Sequence, residues 1–200
     1  MKLPAGLYGF ADTTYGDPFE QGLALAEAGC PTIQLRAKDW DIDRIHEVAY
    51  RLRHALKVYG TCFIVNDHVD VALACDAHGV HLGQDDGDIR AARDQLGPHK
   101  LIGRSTHSLN QVRDVEGADY IGFGPIFPTS TKRTSNPTLG LLMLEKAVDA
   151  STVPVVAIGG ITQQNLQGVV NTRVHGWAII QDIAKAKNVR QAVEQLHPYT

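Results

Sequence analysis

Cysteine, net charge and long apolar runs are all scarce in this sequence, and each scarcity excludes a class of protein. The 200 residues include three cysteines, Cys30, Cys62 and Cys75, an odd number whose spacing fits no zinc motif. We expect them to be reduced and mostly buried thiols of a cytoplasmic protein. The formal net charge is −3, which is too small to hold a nucleic acid or a membrane surface by bulk charge.

Other absences concern targeting and cofactor motifs. The longest apolar runs are strand-sized, far below the roughly 20 residues of a membrane span, and the N-terminus lacks the pattern of a signal peptide. No Gly-x-Gly-x-x-Gly follows the first predicted strand. The apolar fraction of 44% and the length are ordinary, so we expect residues 1–200 to form a single domain without a nucleic-acid or membrane partner. The oligomeric state is left open.

What the sequence does contain is an eightfold alternation of β-rich runs and helix-patterned segments. The strands are expected at LYGFAD, TIQLR, CFIVND, GVHLG, LIGRS, YIGFG, VPVVAIGG and HGWAII. The helices are expected at about residues 19–28, 42–59, 69–75, 88–96, 109–116, from near 139, 163–170 and 189–196. Such alternation predicts parallel strands joined by crossover helices. Eight units favour an α/β fold of the closed (β/α)8 type, a TIM barrel, over a doubly wound open sheet.

Basic and amide side chains follow the second predicted strand, at the end where TIM barrels carry their active sites. Gln34, Arg36 and Lys38 alternate there, so they point to one side if the strand extends that far. The planar fork of arginine and the compact charge of lysine suit an anion. A solvated strand edge is the alternative interpretation.

Carboxylates follow the third and fourth predicted strands. Asn66 and Asp67 close CFIVND, and Asp86 follows the fourth strand in HLGQDD. Two carboxylates that converge from neighbouring strand ends repel each other unless a positive group lies between them, and oxygen ligands of this kind suit Mg²⁺. A helix cap is the alternative role for Asp67. His78 and His81 face opposite sides of the fourth strand, and we predict that both are structural.

Two further segments predict phosphate sites. Residues 125–139 show no periodic pattern, and a loop near about 12–15 residues is more often functional than idle. Thr129, Thr131 and Lys132 supply hydroxyls and a charge there, although a Thr-rich loop is also common on surfaces. Beside the acidic and basic groups, they predict a Mg²⁺–diphosphate site. Gly159-Gly160, after the seventh strand, suggests a separate monophosphate site. The pair of sites predicts a reaction that joins two phosphorylated small molecules and releases diphosphate.

Six segments, in this order and spacing, resemble the thiamine-phosphate synthase family over nearly the whole chain. They are QLRAK, NDHVDVA, GVHLGQDD, IGRSTHS, DYIGFGPIFPTSTK and VPVVAIGGI. The resemblance implies a TIM barrel that joins hydroxymethylpyrimidine diphosphate to a thiazole phosphate, with Mg²⁺ as cofactor. It also implies that the aminopyrimidine ring stabilises a cationic CH₂ group after diphosphate leaves, so no protein nucleophile is needed.

The resemblance also implies roles for individual residues. Asp67 and Asp86 match the Mg²⁺ ligands, and Gly160 matches a contact to the thiazole phosphate. The residues that match contacts to the pyrimidine diphosphate are Gln34, Arg36, Lys38, Asn66, Ser105, Thr129, Thr131 and Lys132. Among these, we expect Lys132, Ser105 and Arg36 to be catalytic.

The segment after the eighth strand departs from the family pattern. It reads HGWAIIQDI, with Gln181 where the family carries a serine, and we expect Gln181 to bind substrate through its backbone N–H. Upstream, Thr172 and Arg173 replace small residues. A related thiazole tautomerase with His107 as its acid–base residue, and a non-catalytic binding module, are the alternatives. An isomerase has no need of the diphosphate-binding residues, which favours the synthase.

Overall fold

The eight predicted strands form one closed parallel sheet in a computed structural model, which describes residues 1–129 and 137–196. The strands are β1 (Gly6–Asp12), β2 (Thr32–Arg36), β3 (Cys62–Asn66), β4 (Gly79–Leu82), β5 (Leu101–Thr106), β6 (Tyr120–Phe123), β7 (Val155–Ile158) and β8 (Gly176–Ala178). Each strand pairs with the next in the sequence, and β8 pairs with β1. The prediction of a TIM barrel is therefore confirmed, and the open sheet is excluded.

Helices surround the barrel, as the alternation predicts. Those in the described ranges are α1 (Pro18–Glu27), α2 (Ile42–Leu56), α3 (Val69–Ala74), α4 (Ile89–Leu96), α5 (Leu109–Arg113), α6 (Gly140–Ala150), α7 (Leu166–Val170), α8 (Gln181–Ala184) and α9 (Val189–Glu194). Short 3₁₀ turns lie at Thr13–Tyr15 and Lys57–Tyr59. None of these helices combines the length and the apolar composition needed to cross a bilayer.

Helix α2 illustrates how the local sequence sets an element. The Asp41 carboxylate accepts a hydrogen bond from the Arg44 backbone N–H at 2.9 Å and so caps the first turn. Apolar side chains then recur every three or four residues and are buried against the barrel. They are Ile45, Val48, Ala49, Leu52 and Leu56.

Several helix boundaries predicted from the sequence were wrong, and one helix was missed. Helix α7 begins at Leu166 rather than near Gln163, because the Asn165 side chain holds residues 162–165 in a turn by accepting from the Thr162 N–H. Helix α5 ends at Arg113, about three residues before the predicted end. Helix α8 has only four residues, too few for a periodic pattern to reveal.

The strands are buried on both faces, and alternate residues serve two apolar layers. In β3, Cys62 and Ile64 belong to a small cluster inside the barrel, whereas Phe63 and Val65 belong to the larger core between the strands and the helices. The inner cluster also contains Tyr8 and Tyr120. The barrel is thus packed beneath its C-terminal end, where polar groups replace the apolar layer.

Candidate active site

A cavity of about 300 Å³ opens at the C-terminal ends of the strands. Side chains from the ends of all eight strands, or from the loops that follow them, line it. Ten predicted site residues share this cavity: Gln34, Arg36, Lys38, Asn66, Asp67, Asp86, Ser105, Thr129, Gly160 and Gln181. Thr131 and Lys132 lie outside the described residues. The remote positions that the sequence analysis selected therefore do converge in space.

Lys38 lies between the two predicted metal ligands. Its Nζ is 3.0 Å from Asp67 Oδ2 and 3.9 Å from Asp86 Oδ2. Asp86 Oδ2 also accepts a hydrogen bond from the Gly83 N–H at 2.9 Å. Burial raises the pKa of Asp67, the nearby Asp86 carboxyl raises it further, and Lys38 partly opposes both effects. The acidic pair therefore needs a positive partner, as the sequence analysis predicted.

The donor set fits a magnesium ion. Asp67 and Asp86 offer carboxylate oxygens at one rim of the cavity. No group of three or more His, Cys, Asp or Glu side chains within residues 1–129 and 137–196 is arranged to hold a metal. Mg²⁺ commonly takes one or two carboxylates and completes its shell with water and phosphate oxygens. Two carboxylates at one rim of the cavity meet that need.

The backbone at Asp67 is held in an uncommon conformation. Its φ is 66°, in the left-handed region that aspartate and asparagine tolerate better than most residues. The Asp67 N–H donates to the His81 carbonyl oxygen at 2.9 Å, which ties the end of β3 to β4. This bond, together with Lys38, aims the carboxylate at Asp86 instead of at the first turn of α3. The helix cap considered for Asp67 is not formed, since no side-chain cap bond precedes α3.

Arg36 is held by a partner that the sequence analysis missed. Arg36 Nη1 donates to Asp12 Oδ2 at 2.8 Å, and the Asp12 side chain is only 1% exposed. Asp12 Oδ1 accepts from the Thr14 N–H, so the carboxylate is fixed from both sides. The register of β1 and β2 places Asp12 opposite Arg36, a pairing that two isolated strand ends do not reveal. The alternative of a solvated strand edge is excluded for Arg36, which is largely buried.

His81 was predicted to be structural, and it instead lines the cavity. Its Nε2 lies 3.0 Å from Ser105 Oγ, and its Nδ1 lies 3.2 Å from the Tyr120 hydroxyl oxygen. His78 does have a structural contact, since its Nδ1 accepts from the Phe63 N–H at 2.8 Å. The sequence did contain a signal for this position. Side chains alternate between the two faces of β4, and this alternation turns His81 toward the barrel interior.

The glycine pair after β7 forms the opposite rim of the cavity. Gly159 and Gly160 have φ values of 96° and 65°. A Cβ on Gly160 would lie 2.5 Å from the Pro128 carbonyl oxygen, so the loops after β6 and β7 touch there. Asn165 Nδ2 donates to the Gly160 carbonyl oxygen and stabilises the turn. Gln181, at the start of α8, faces the same cavity.

His107 also lines the cavity, with its ring fixed by the backbone. Its Nδ1 donates to the Gly124 carbonyl oxygen at 2.6 Å, and its own N–H donates to the Gln111 side chain.

Comparison with known proteins decides the family. The model of the thiamine monophosphate synthase family matches residues 7–183. The chain belongs to this family. The thiamine-phosphate synthases of Shouchella clausii and Pyrococcus furiosus are each 40% identical to it, over 90% and 95% of this chain and 91% and 92% of theirs.

A solved structure gives the same assignment. The thiamine phosphate pyrophosphorylase from Pyrococcus furiosus superposes with a TM-score of 0.90 at 38% identity, covering 98% of this chain and 95% of that one. The predictions of a thiamine-phosphate synthase, of an enzyme and of a transferase of thiamine biosynthesis are therefore confirmed. Both relatives carry the synthase name, which favours the synthase over a thiazole tautomerase.

Proposed function

We propose that this family member couples hydroxymethylpyrimidine diphosphate to a thiazole phosphate in a Mg²⁺-dependent reaction that yields thiamine phosphate and diphosphate. The observation that carries the proposal is the placement of Lys38 between Asp67 and Asp86, at one rim of a cavity that Arg36 also lines. This arrangement suits a metal-bound diphosphate. The carboxylates, which Lys38 neutralises here, could bind the metal ion, and Lys38 could then bind the diphosphate oxygens. Bound at Asp67 and Asp86, Mg²⁺ would neutralise charge on the diphosphate oxygens.

The cationic side chains would stabilise the leaving group. As the bond between the pyrimidine CH₂ carbon and oxygen breaks, its electron pair departs with the diphosphate. Asp12 binds Arg36 through Nη1, which leaves other guanidinium donors for the anion. Lys38 adds a second charge, and Lys132 is proposed as a third. Cationic side chains that are already in position before the bond breaks stabilise the transition state without having to reorient.

The second half of the reaction depends on positioning. The thiazole nitrogen donates its lone pair to the pyrimidine CH₂ cation, and a C–N bond forms. Backbone N–H groups near Gly160, and that of Gln181, would hold the thiazole phosphate on the far rim. The cavity wall between the rims is apolar at Ile158 and Ile180, which helps to keep water from the cation. Holding the two reactants together supplies much of the rate enhancement.

The cysteines support a mechanism without a protein nucleophile. Burial raises the pKa of Cys30 and of Cys62 to about 12, and it also raises that of Cys75. Such thiols are almost fully protonated near neutral pH and react poorly. All three are unpaired, which fits the cytoplasmic location that we propose.

The direct test is to incubate the purified protein with both substrates and to measure thiamine phosphate. Product should form with Mg²⁺ and should fall to background with EDTA. No product from the intact protein under either condition would overturn the proposal.

Asp67→Asn tests the metal site without adding backbone strain, because asparagine also accepts a positive φ. We expect the variant to fold normally and to lose at least about 100-fold in Mg²⁺-dependent turnover, since a ligand charge is lost. Asp76→Asn is the matched control, because Asp76 also has a positive φ, of 54°, but lies before β4 at the other end of the barrel. That control should lose stability rather than activity. Unchanged Mg²⁺ dependence in Asp67→Asn would refute the metal assignment.

A further inference from the structure

A continuous chain of hydrogen bonds crosses the floor of the cavity. Gln34 Nε2 donates to the Tyr8 hydroxyl oxygen at 2.9 Å, and the Tyr8 and Tyr120 hydroxyl oxygens are 2.8 Å apart. The Tyr120 hydroxyl lies 3.2 Å from His81 Nδ1, and His81 Nε2 lies 3.0 Å from Ser105 Oγ. These five side chains come from five different strands, and all line the cavity.

The two phenols at the centre of this chain remain protonated. Tyr8 is 4% exposed and Tyr120 is fully buried. Burial raises the pKa of both hydroxyls well above the ordinary value. Each phenol therefore has one hydrogen to donate and can accept another, which makes the chain directional.

The amide of Gln34 sets this direction. Because the Tyr8 oxygen accepts from Gln34, the arrangement that gives each hydroxyl hydrogen an acceptor sends the Tyr8 hydrogen to Tyr120 and the Tyr120 hydrogen to His81 Nδ1. A neutral imidazole whose Nδ1 accepts carries its proton on Nε2, so His81 then donates to Ser105 Oγ. With its oxygen occupied by His81, the Ser105 hydroxyl is left to donate its own hydrogen into the cavity.

We propose that Tyr120 is a positioning residue that selects the Nε2–H tautomer of His81 and thereby makes the Ser105 hydroxyl a hydrogen-bond donor toward the pyrimidine ring. The inference rests on the proposed function for the identity of the ring. Tyr120 is fully buried beside His81, and it acts on the substrate through His81 and Ser105.

The same direction defines the chemistry of the ring that fits. Gln34 uses one amide hydrogen for Tyr8, and its Oε1 can accept a hydrogen bond from a ligand. The two ends of the chain thus offer an acceptor at Gln34 and a donor at Ser105. A ring with an exocyclic amine and an unprotonated ring nitrogen, as in an aminopyrimidine, matches that pair. A ring with an oxo group in place of the amine offers no donor to Gln34 Oε1.

The first experiment needs no substrate. ¹⁵N-histidine NMR at about pH 8, above the ordinary histidine pKa of about 6.5, distinguishes the two neutral tautomers. The signals of His81 are assigned by their loss in His81→Gln. We expect Nε2–H in the intact protein and a mixture of tautomers in Tyr120→Phe, where Nδ1 has lost its donor. An Nδ1–H tautomer or a mixture in the intact protein would overturn the proposal, whether or not Tyr120→Phe folds.

The second experiment uses steady-state kinetics to test whether Tyr120 affects pyrimidine binding through Ser105. Tyr120→Phe should raise KM for hydroxymethylpyrimidine diphosphate about tenfold, as expected for one lost hydrogen bond of about 1.4 kcal/mol, with KM for the thiazole phosphate changed less than about twofold. In the Ser105→Ala background the same substitution should change the pyrimidine KM by less than about twofold, because coupled residues are not additive. Tyr50→Phe, at a 66% exposed position, is the control and should match the intact protein.

The outcomes of these two experiments are distinguishable from a failure of the proposed function. If the intact protein forms no thiamine phosphate, the proposed function fails and the NMR result still decides the direction of the chain. If product forms but Tyr120→Phe leaves the pyrimidine KM unchanged, the positioning role is wrong. An equal loss in the Ser105→Ala background would also overturn it, because Tyr120 would then act independently of Ser105.

Discussion

At the scale of single residues, five charged groups of the cavity have a partner of opposite sign. Asp12 holds Arg36, and Lys38 contacts both Asp67 and Asp86. Such pairs lower the free-energy cost of burying a charge, and they hold each cationic side chain in one orientation. The partners are as important to the proposed chemistry as the residues that contact substrate.

Asp12→Asn should separate the position of Arg36 from its charge. Asparagine can still accept a hydrogen bond but no longer neutralises the guanidinium, so Arg36 is less firmly oriented. We expect kcat to fall about tenfold and the free energy of unfolding to drop by about 1–3 kcal/mol. Urea denaturation and steady-state rates measure both effects.

Asp17→Asn provides the control for that substitution. Asp17 caps α1 by accepting from the Phe19 N–H, and asparagine caps a helix about as well as aspartate. This variant should match the intact protein in rate and stability. If Asp12→Asn matched it as well, the inference that Asp12 orients Arg36 would be wrong.

At the scale of elements, the base of the long segment after β6 is part of the barrel. The Ile126 and Phe127 N–H groups donate to the carbonyl oxygens of Ile158 and Gly159, continuing the pairing of β6 with β7. On the return side, the Leu139 N–H donates to the Pro125 carbonyl oxygen. The segment predicted as a functional loop at 125–139 therefore has two anchored ends beside the cavity.

Gly160→Ala should disturb both loops at this rim. Its Cβ would collide with the Pro128 carbonyl oxygen and with Phe127, and the positive φ of Gly160 adds strain. We expect at least a tenfold rise in KM for the thiazole phosphate, measured by steady-state kinetics. Gly29→Ala shares the positive φ, at 84°, but its Cβ would meet nothing within 4 Å. If both variants lost activity equally, backbone strain alone would account for the effect.

At the scale of the whole molecule, the two ends of the barrel carry different groups. The C-terminal end carries the cavity, and the N-terminal end carries ion pairs that tie together the segments before β4 and β5. Asp76 contacts Arg53 Nη2 at 3.3 Å and Lys100 Nζ at 2.6 Å, and Lys100 lowers the pKa of Asp76. This division matches the general separation of stability and activity in TIM barrels. That residues 1–200 form a single domain stays a prediction.

Stability should fall on mild acidification because of His78. Burial, assisted by Arg53 and Lys100, lowers the pKa of His78 in the folded state, whereas the unfolded chain has the ordinary value of about 6.5. Below that pH the unfolded state binds a proton that the folded state resists, so acid favours unfolding. Protonation also destroys the acceptor that Phe63 uses. The free energy of unfolding, measured in urea, should be lower at about pH 5 than at about pH 7.

His78→Asn is the matched variant for the pH dependence, since its side-chain oxygen can accept the same bond and does not titrate. The difference in stability between the two pH values should shrink in this variant. An unchanged difference would assign the acid sensitivity to other groups.

Much of this molecule follows from the order of its residues alone. Eight apolar runs with turn and cap residues between them specify the barrel, because each element must bury its apolar face against the next. The residues after the strands then specify the rim of the cavity, because parallel strands all end on one side. For this reason ten of the predicted site positions line one cavity.

The partners of those residues depend on the folded barrel. Asp12 meets Arg36, and His81 joins Tyr120 to Ser105, only because strand register and barrel closure set which side chains face one another. Those quantities depend on packing between segments tens of residues apart, which local patterns do not encode. The direction of the hydrogen bonds around His81, the pKa of Asp67 and the contacts of Lys38 with Asp67 and Asp86 are therefore properties of the tertiary structure.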